Sequence, residues 1–328
     1  MTRLAPASAL APGWDRAEQR PWPGDLEQHD RRELFVRRTP VAPDAPVPPA
    51  VFVHGLGGQA MNWTDLMALV RHRFACVAPD LPGFGYSPPP PDGDYSIDAT
   101  MGAVVDLVEH EVASHGRRVM LVGNSLGGAV CTRLASRRPD LVAALVLVSP
   151  ALPDLRPRRG GVLVPFLALP RFGEGLYRQV QRLPAERQVQ AMLETNFGDP
   201  GVIPPRRRVE AIEEYRRRAT LPYAGEALSG SARGLMRAFL DPGPQGLWRE
   251  AAQLEVPTLL FYGGRDQLVD VSRARRAART IPGARVVVLP GVGHMAQVEE
   301  PRMVARFVLG FADAVGDVLA GEAVRSRP

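Results

Sequence analysis

Leu121-Val122-Gly123-Asn124-Ser125-Leu126-Gly127-Gly128 is the stretch on which the reading of this chain turns. The apolar run from Val119 to Val122 reads as a buried strand. After Ser125, residues Ala129, Val130, Leu134 and Ala135 carry a helical spacing that stops at Pro139. Between strand and helix stands Gly-x-Ser-x-Gly. Glycines two residues either side of the serine let the backbone turn sharply and lift the hydroxyl above the sheet edge, because a side chain there would strike the adjoining strand or helix.

Outward from this turn, strands and helices alternate. Residues 26–29 and 33–38 read as a hairpin turning at Asp30 and Arg31, followed by a proline-rich linker over 40–49. Residues 50–53 are a continuous apolar run, and 74–78, 144–148, 258–262 and 285–289 read as further largely apolar strands, as strands covered on both faces require. Helices are expected from about Asn62, from Ser96 to Gly116 with Met101, Val104, Val105, Val108 and Val112 as the buried stripe, over 269–279, and along Val304 to Val315. From Pro150 to about Glu255 only amphipathic segments are legible, at 174–183, 185–193, 209–217 and 232–240. The fold class is therefore α/β: a mostly parallel eight-stranded sheet flanked by helices, with a helical cap inserted after the sixth strand. The expected organisation is a disordered leader over 1–22, a core at 23–149, the cap at 150–254, the rest of the core at 255–320 and a frayed tail at 321–328. Such a cap lies above the carboxyl edge of the sheet, where sites in open α/β sheets form.

Composition narrows the function classes. The 328 residues are 45% hydrophobic and 23% charged, ordinary for a globular chain. The net charge of +5 is carried by arginine, with no lysine present, and is too modest for a nucleic-acid partner. The clusters Arg156-Pro157-Arg158-Arg159, Arg206-Arg207-Arg208 and Arg216-Arg217-Arg218 read as solvated helix faces, with an anionic surface or substrate as the alternative. No apolar run approaches the roughly 18 residues of a membrane span. Cys76 and Cys131 read as two buried thiols, and the cytoplasm is the default location. No metal-ligand spacing, phosphate loop or dinucleotide fingerprint is present, so neither a metal nor a cofactor is expected.

A serine hydroxyl attacks only when a base takes its proton, and the base must be held in the right tautomer. Two late strand ends offer both: Gly263-Gly264-Arg265-Asp266 and Gly291-Val292-Gly293-His294. Asp270 and Asp154 compete with Asp266 as the acid. Of the other histidines, His54 reads as stabilising its own turn, while His29, His72, His110 and His115 read as solvated. Asp80 reads as a structural brace.

Across residues 25–316 the chain resembles the α/β-hydrolase superfamily. The resemblance rests on His54-Gly55-Leu56-Gly57-Gly58, Pro79-Asp80-Leu81-Pro82-Gly83-Phe84-Gly85, the Gly123–Gly128 turn, Gly264-Arg265-Asp266 and Gly293-His294. It implies Ser125 as nucleophile, His294 as base and Asp266 as its orienting acid, with the backbone N–H groups of Leu56 and Leu126 as the oxyanion hole. A serine nucleophile excludes superfamily members that use aspartate, and Leu126 departs from the Trp of proline iminopeptidases. Ester hydrolysis is the leading expectation, with perhydrolysis as a side reaction of the same site. Gly-Asn-Ser-x-Gly-Gly and Gly-His-x-Ala-Gln-x-Glu resemble enzymes that hydrolyse a carbon–carbon bond in vinylogous diketones from aromatic ring cleavage, although their Ser-Gly-Pro-Gly loop is absent. A non-catalytic ligand-binding protein of this fold is the second alternative. Trp63, Phe166, Met192, Phe197 and Phe239 are expected to line an apolar acyl pocket for a small-molecule substrate. The apolar run 161–170 is expected to pack over it rather than to lie on lipid.

Overall fold

The computed structural model describes residues 5–30, 32–41, 47–153, 160–243 and 245–321. Eight strands form one sheet: β1 (Gly24–His29), β2 (Arg32–Arg38), β3 (Pro49–Val53), β4 (Ala75–Pro79), β5 (Val119–Asn124), β6 (Val142–Val148), β7 (Thr258–Gly263) and β8 (Arg285–Leu289). Their spatial order is β1-β2-β4-β3-β5-β6-β7-β8. β2 pairs antiparallel with β1 and β4, and the other neighbours run parallel. The chain leaves β3 toward β4 and returns to β5 on its other side, so the winding reverses between β3 and β5. The crevice outside the carboxyl ends of those two strands is where this topology places a site.

The helices follow as α1 (Thr64–Val70), α2 (Ile97–His115), α3 (Leu126–Arg137), α4 (Leu163–Leu167), α5 (Phe172–Val180), α6 (Ala185–Asn196), α7 (Pro205–Ala219), α8 (Ala224–Leu240), α9 (Leu247–Ala252), α10 (Arg273–Thr280), α11 (Ala296–Glu299), α12 (Pro301–Ala314) and α13 (Gly316–Ala320). Helices α4 to α9 all lie between β6 and β7. Strand residues alternate between two cores. Val51, Val53, Leu121, Leu145 and Leu260 pack with Val104 and Leu107 of α2 and Val130 and Leu134 of α3. Ala50, Phe52, Val122, Val146 and Phe261 pack with Leu66 and Met67 of α1 and Val304 and Val308 of α12. Both faces are thus covered, which is why these strands carry no polar alternation.

Several expectations change here. The expected stripe of α2 packs on the core, Val104 and Val108 buried and Met101, Val105 and Val112 half-buried against it, but the buried face is wider and also takes in Thr100, Ala103, Leu107 and Glu111. The helix still starts at Ser96, whose Oγ accepts from Ala99 N–H at 3.1 Å, and stops at left-handed Gly116. His29, read as solvated, is buried against His110 and hydrogen-bonded to Glu27. The part of the leader within the described residues, 5–22, forms no helix or strand yet lies along the body. Ser8 N–H donates to Arg306 O, the Trp22 indole donates to Thr64 O, and Arg302 stacks on Trp14. Gly310 admits that passage, since a Cβ there would stand 2.5 Å from Pro6 O. Cys76 and Cys131 are free and buried. Among the described residues no helix is long and apolar enough to cross a membrane.

Candidate active site

Ser125 sits between β5 and α3 with φ of 53°, a left-handed conformation that a non-glycine residue adopts at a cost. The turn is held because its neighbours fit nowhere else. A Cβ on Gly127 would stand 2.2 Å from Val53 O, and one on Gly123 2.5 Å from Gly127 O. The backbone N–H of Ser125 donates to Val148 O at 3.1 Å, and its carbonyl accepts from Ala129 and Ala151. Leu126, the first residue of α3, has no carbonyl one turn earlier to receive its N–H, so that donor and the positive end of the helix dipole stand beside the serine.

The loop after β3 lies against this turn, since a Cβ on Gly55 would be 3.0 Å from Ser125 Cβ. His54 fixes the loop by donating from Nδ1 to Gly55 O at 2.8 Å, while its Nε2 accepts from Leu81 N–H at 2.9 Å. Burial pushes the imidazole down to about 4, which keeps it neutral as those two bonds require. Asp80 is the brace the sequence suggests. Its carboxylate accepts from Ala60 N–H at 2.6 Å and Tyr86 N–H at 2.9 Å, and burial raises it to about 6.

The loops after β7 and β8 bring Asp266 and His294 together. His294 Nδ1 donates to Asp266 Oδ2 at 2.9 Å with both side chains buried. Burial works to raise the Asp266 carboxyl, but His294 and the N–H groups of Leu268 and Val269 prevail and hold it below the ordinary carboxylate range. With Nδ1 engaged, Nε2 is the nitrogen left to accept a proton. Asp270 instead accepts from Ser272 N–H at 2.7 Å, and Asp154 lies outside the described residues.

Two residues without an assigned role in the sequence reading join these loops. Asn124, beside Ser125, donates from Nδ2 to Val148 O at 3.0 Å and to His294 O at 3.2 Å. Glu299 accepts from the N–H of Gly293 at 2.7 Å, of Asp199 at 2.8 Å and of Gly198 at 3.1 Å. His294 N–H also donates to Asn196 O at 2.7 Å, so the end of α6 is laced onto the histidine loop. Both residues stood within quoted motifs; what was missing was their distant backbone partners.

The expected pocket is only partly assembled. Met192 and Phe197 share a cluster with Met295 and Val298, next to His294. Trp63 belongs instead to the core beneath the sheet, fully buried with its ring 5.5 Å from Phe52, because the turn leading into α1 packs on β3, β4 and α11. Phe239 packs half-buried on the core of the opposite face. Phe166 is 46% exposed and meets Phe172, so this part of the run 161–170 faces outward instead of packing.

A family model described as alpha/beta hydrolase fold matches residues 48–301. The chain belongs to the α/β-hydrolase family. Among relatives of this hydrolase is a dihydrolipoyllysine-residue acetyltransferase component of an acetoin cleaving system from Pseudomonas putida, 30% identical over 266 residues, covering 80% of this chain and 63% of the relative. The chain thus spans less than two thirds of that longer protein. A 2-hydroxymuconate semialdehyde hydrolase from Pseudomonas sp. (strain CF600) is 30% identical over 288 residues, 83% of this chain and 87% of the relative. Among solved structures, a bacterial membrane phospholipase A described as a virulence factor superposes with a TM-score of 0.70 at 27% identity, covering 90% of this hydrolase and 87% of the other chain.

Proposed function

We propose that this α/β-hydrolase cleaves a carboxylic ester of small or medium apolar body through an acyl-serine intermediate, with Ser125, His294 and Asp266 as its triad. The observation that carries the reading is the His294–Asp266 hydrogen bond, in a loop that Asn124 fastens to the turn bearing Ser125. In this mechanism His294 Nε2 removes the Ser125 proton as Oγ adds to the ester carbonyl. The oxyanion receives the N–H groups of Leu126 and Leu56, each worth about 3 kcal/mol of transition-state stabilisation. The imidazolium, steadied by Asp266, returns its proton to the departing alcohol. Water, deprotonated by the same imidazole, then releases the acid and restores Ser125.

The helices α4–α9 act as the cap that admits substrate, with Met192 and Phe197 closest to the histidine loop. Two free thiols fit a reducing, cytoplasmic setting. A second reading, hydrolysis of a carbon–carbon bond in a vinylogous diketone, is favoured by the end-to-end similarity to the semialdehyde hydrolase and by the shared Gly-Asn-Ser-x-Gly-Gly turn.

The test is a hydrolysis screen across ester acyl lengths alongside a ring-fission diketone, with Ser125→Ala as blank. Ester turnover that vanishes in Ser125→Ala supports the first reading, and diketone cleavage without ester cleavage replaces it with the second. A fluorophosphonate should label wild type at Ser125; no labelling and no turnover would indicate a binding protein. Because the hydroxyl contributes little packing, Ser125→Ala should shift the thermal midpoint by less than about 2 °C.

A further inference from the structure

Where α7 of the cap crosses the glycine loop, two arginines share one carboxylate. Glu214 is buried and its two oxygens each accept from Arg217, from Nε and Nη2, at 2.8 Å. Arg217 is further occupied, donating to Gly85 O and lying 4.3 Å from the Tyr86 ring centroid. Arg218 is held more loosely, with its guanidinium 5.3 Å from the Tyr215 ring centroid. Its Nη2 is 3.6 Å from Glu214 Oε1, too long for a hydrogen bond, and it makes none among the described residues although its side chain is only 13% exposed.

The position of that guanidinium is informative. Nη1 stands 3.8 Å from the point a Cβ on Gly57 would occupy, two residues beyond the Gly55 that packs on Ser125. Tyr177 of α5 packs on α8: its Cδ1 is 3.0 Å from the point a Cβ on Gly225 would occupy, one turn of α8 before Leu228, whose Cδ1 is 3.5 Å from the Gly57 point. The Tyr177 hydroxyl is itself buried and lacks a hydrogen-bond partner among the described residues. Two under-used donors thus lie near adjacent turns of α8 beside the loop expected to cradle the reacting carbonyl, and buried donors of this kind are matched by an acceptor. The planar fork of an arginine suits a carboxylate.

We propose that Arg218 and the Tyr177 hydroxyl form a subsite for a carboxylate carried by the substrate, held over Gly57 while the scissile ester lies at Ser125. The proposal rests on the ester reading above and adds one anionic end to its apolar substrate.

The experiment compares kcat/KM on two matched pairs. The p-nitrophenyl hydrogen glutarate and p-nitrophenyl pentanoate pair places charge on the acyl half; para-acetoxybenzoate and its methyl ester place it on the alcohol half. Wild type should favour the charged member of one pair by about tenfold or more. Arg218→Gln should erase that preference while changing the neutral member less than about threefold, and Tyr177→Phe should reduce it by about threefold. Absence of any preference, or an equal loss on both members in Arg218→Gln, overturns the proposal. Calorimetry on the Ser125→Ala protein with monomethyl glutarate against dimethyl glutarate reads the subsite without turnover. Binding of the monoanion that Arg218→Gln abolishes, in a protein that cleaves none of the esters, would sink the ester reading and keep the subsite. Ester cleavage with neither charge preference nor monoanion binding would do the reverse.

Discussion

His54 and Asp80 lie one residue's reach apart and respond to acid in opposite directions. The folded His54 sits near 4, below its ordinary 6.5, so its stabilisation is present above pH 6.5 and is lost as pH falls through about 4. Asp80 is raised from 3.8 to about 6, so its contribution is present below pH 3.8 and is lost as pH rises through about 6. Between those limits the two slopes oppose and partly cancel. Single substitutions should separate them in urea melts referenced to wild type at each pH. Going from about pH 7 to about pH 5, Asp80→Asn should lose stability relative to wild type and His54→Gln should gain it, each by about 1 to 2 kcal/mol. Parallel trends in the two variants would mean that burial has not shifted the pair in this way. The identity of these residues was legible in the sequence, as was their bracing role, because each stands at a strand end in a glycine-rich turn. Their protonation was not, since it depends on a burial that no local pattern encodes.

At the scale of elements, the strands are the easiest to read and the helices inserted between β6 and β7 the hardest. A strand covered on both faces is a continuous apolar run, and only a buried parallel sheet demands one. Helical periodicity marks an apolar face but not its width or what it meets, so the stripe it predicts for α2 lacks Ala103 and Leu107, and Trp63, expected in a pocket, lies in the core. Short α4 and α9 carry too few turns to show a period at all. The lacing of α6 to the histidine loop belongs to the same class of invisible feature. The two oxygens of Glu299 accept three charge-assisted hydrogen bonds there, while a glutamine would offer a single oxygen and place an N–H₂ against other donors. Glu299→Gln should therefore lower unfolding stability by about 2 kcal/mol and kcat by more than about tenfold through a displaced His294. Equilibrium denaturation and ester kinetics check the two halves, and a stable but slow variant would still locate the effect in the loop. Gly198→Ala should act similarly, because its Cβ would fall 2.3 Å from Gly291 O.

For the whole molecule, the question is what holds the inserted helices on the sheet. Of the arginine clusters expected to be solvated faces, Arg207 and Arg217 instead fasten α7 to the body, while Arg216 stays at the surface as expected; Arg156, Arg158 and Arg159 lie outside the described residues. Arg207 of α7 reaches Asp65 of α1, Glu210 of its own helix and the carbonyl of Gln19, while Arg16 donates to the other oxygen of Asp65 at 2.9 Å. Arg216, by contrast, pairs with Glu186 where both side chains are more than half exposed. A run of three arginines looks alike at either place, and only the partner across the interface distinguishes them. The physical difference predicts a measurable one. Removing Arg207 with Arg207→Met leaves buried Asp65 with one cation instead of two, which should cost about 1 to 3 kcal/mol, whereas Arg216→Met should cost less than about 0.5 kcal/mol. Near 1 M salt the Debye length shrinks to about 3 Å, so the small Arg216 effect should vanish while most of the Arg207 effect remains. Limited proteolysis supplies the structural readout: Arg207→Met should be cut within residues 150–254 sooner than wild type, with the span 255–320 cut no faster. If both variants behave alike in salt and under protease, the inserted helices are held by their apolar contacts and the arginines only decorate them.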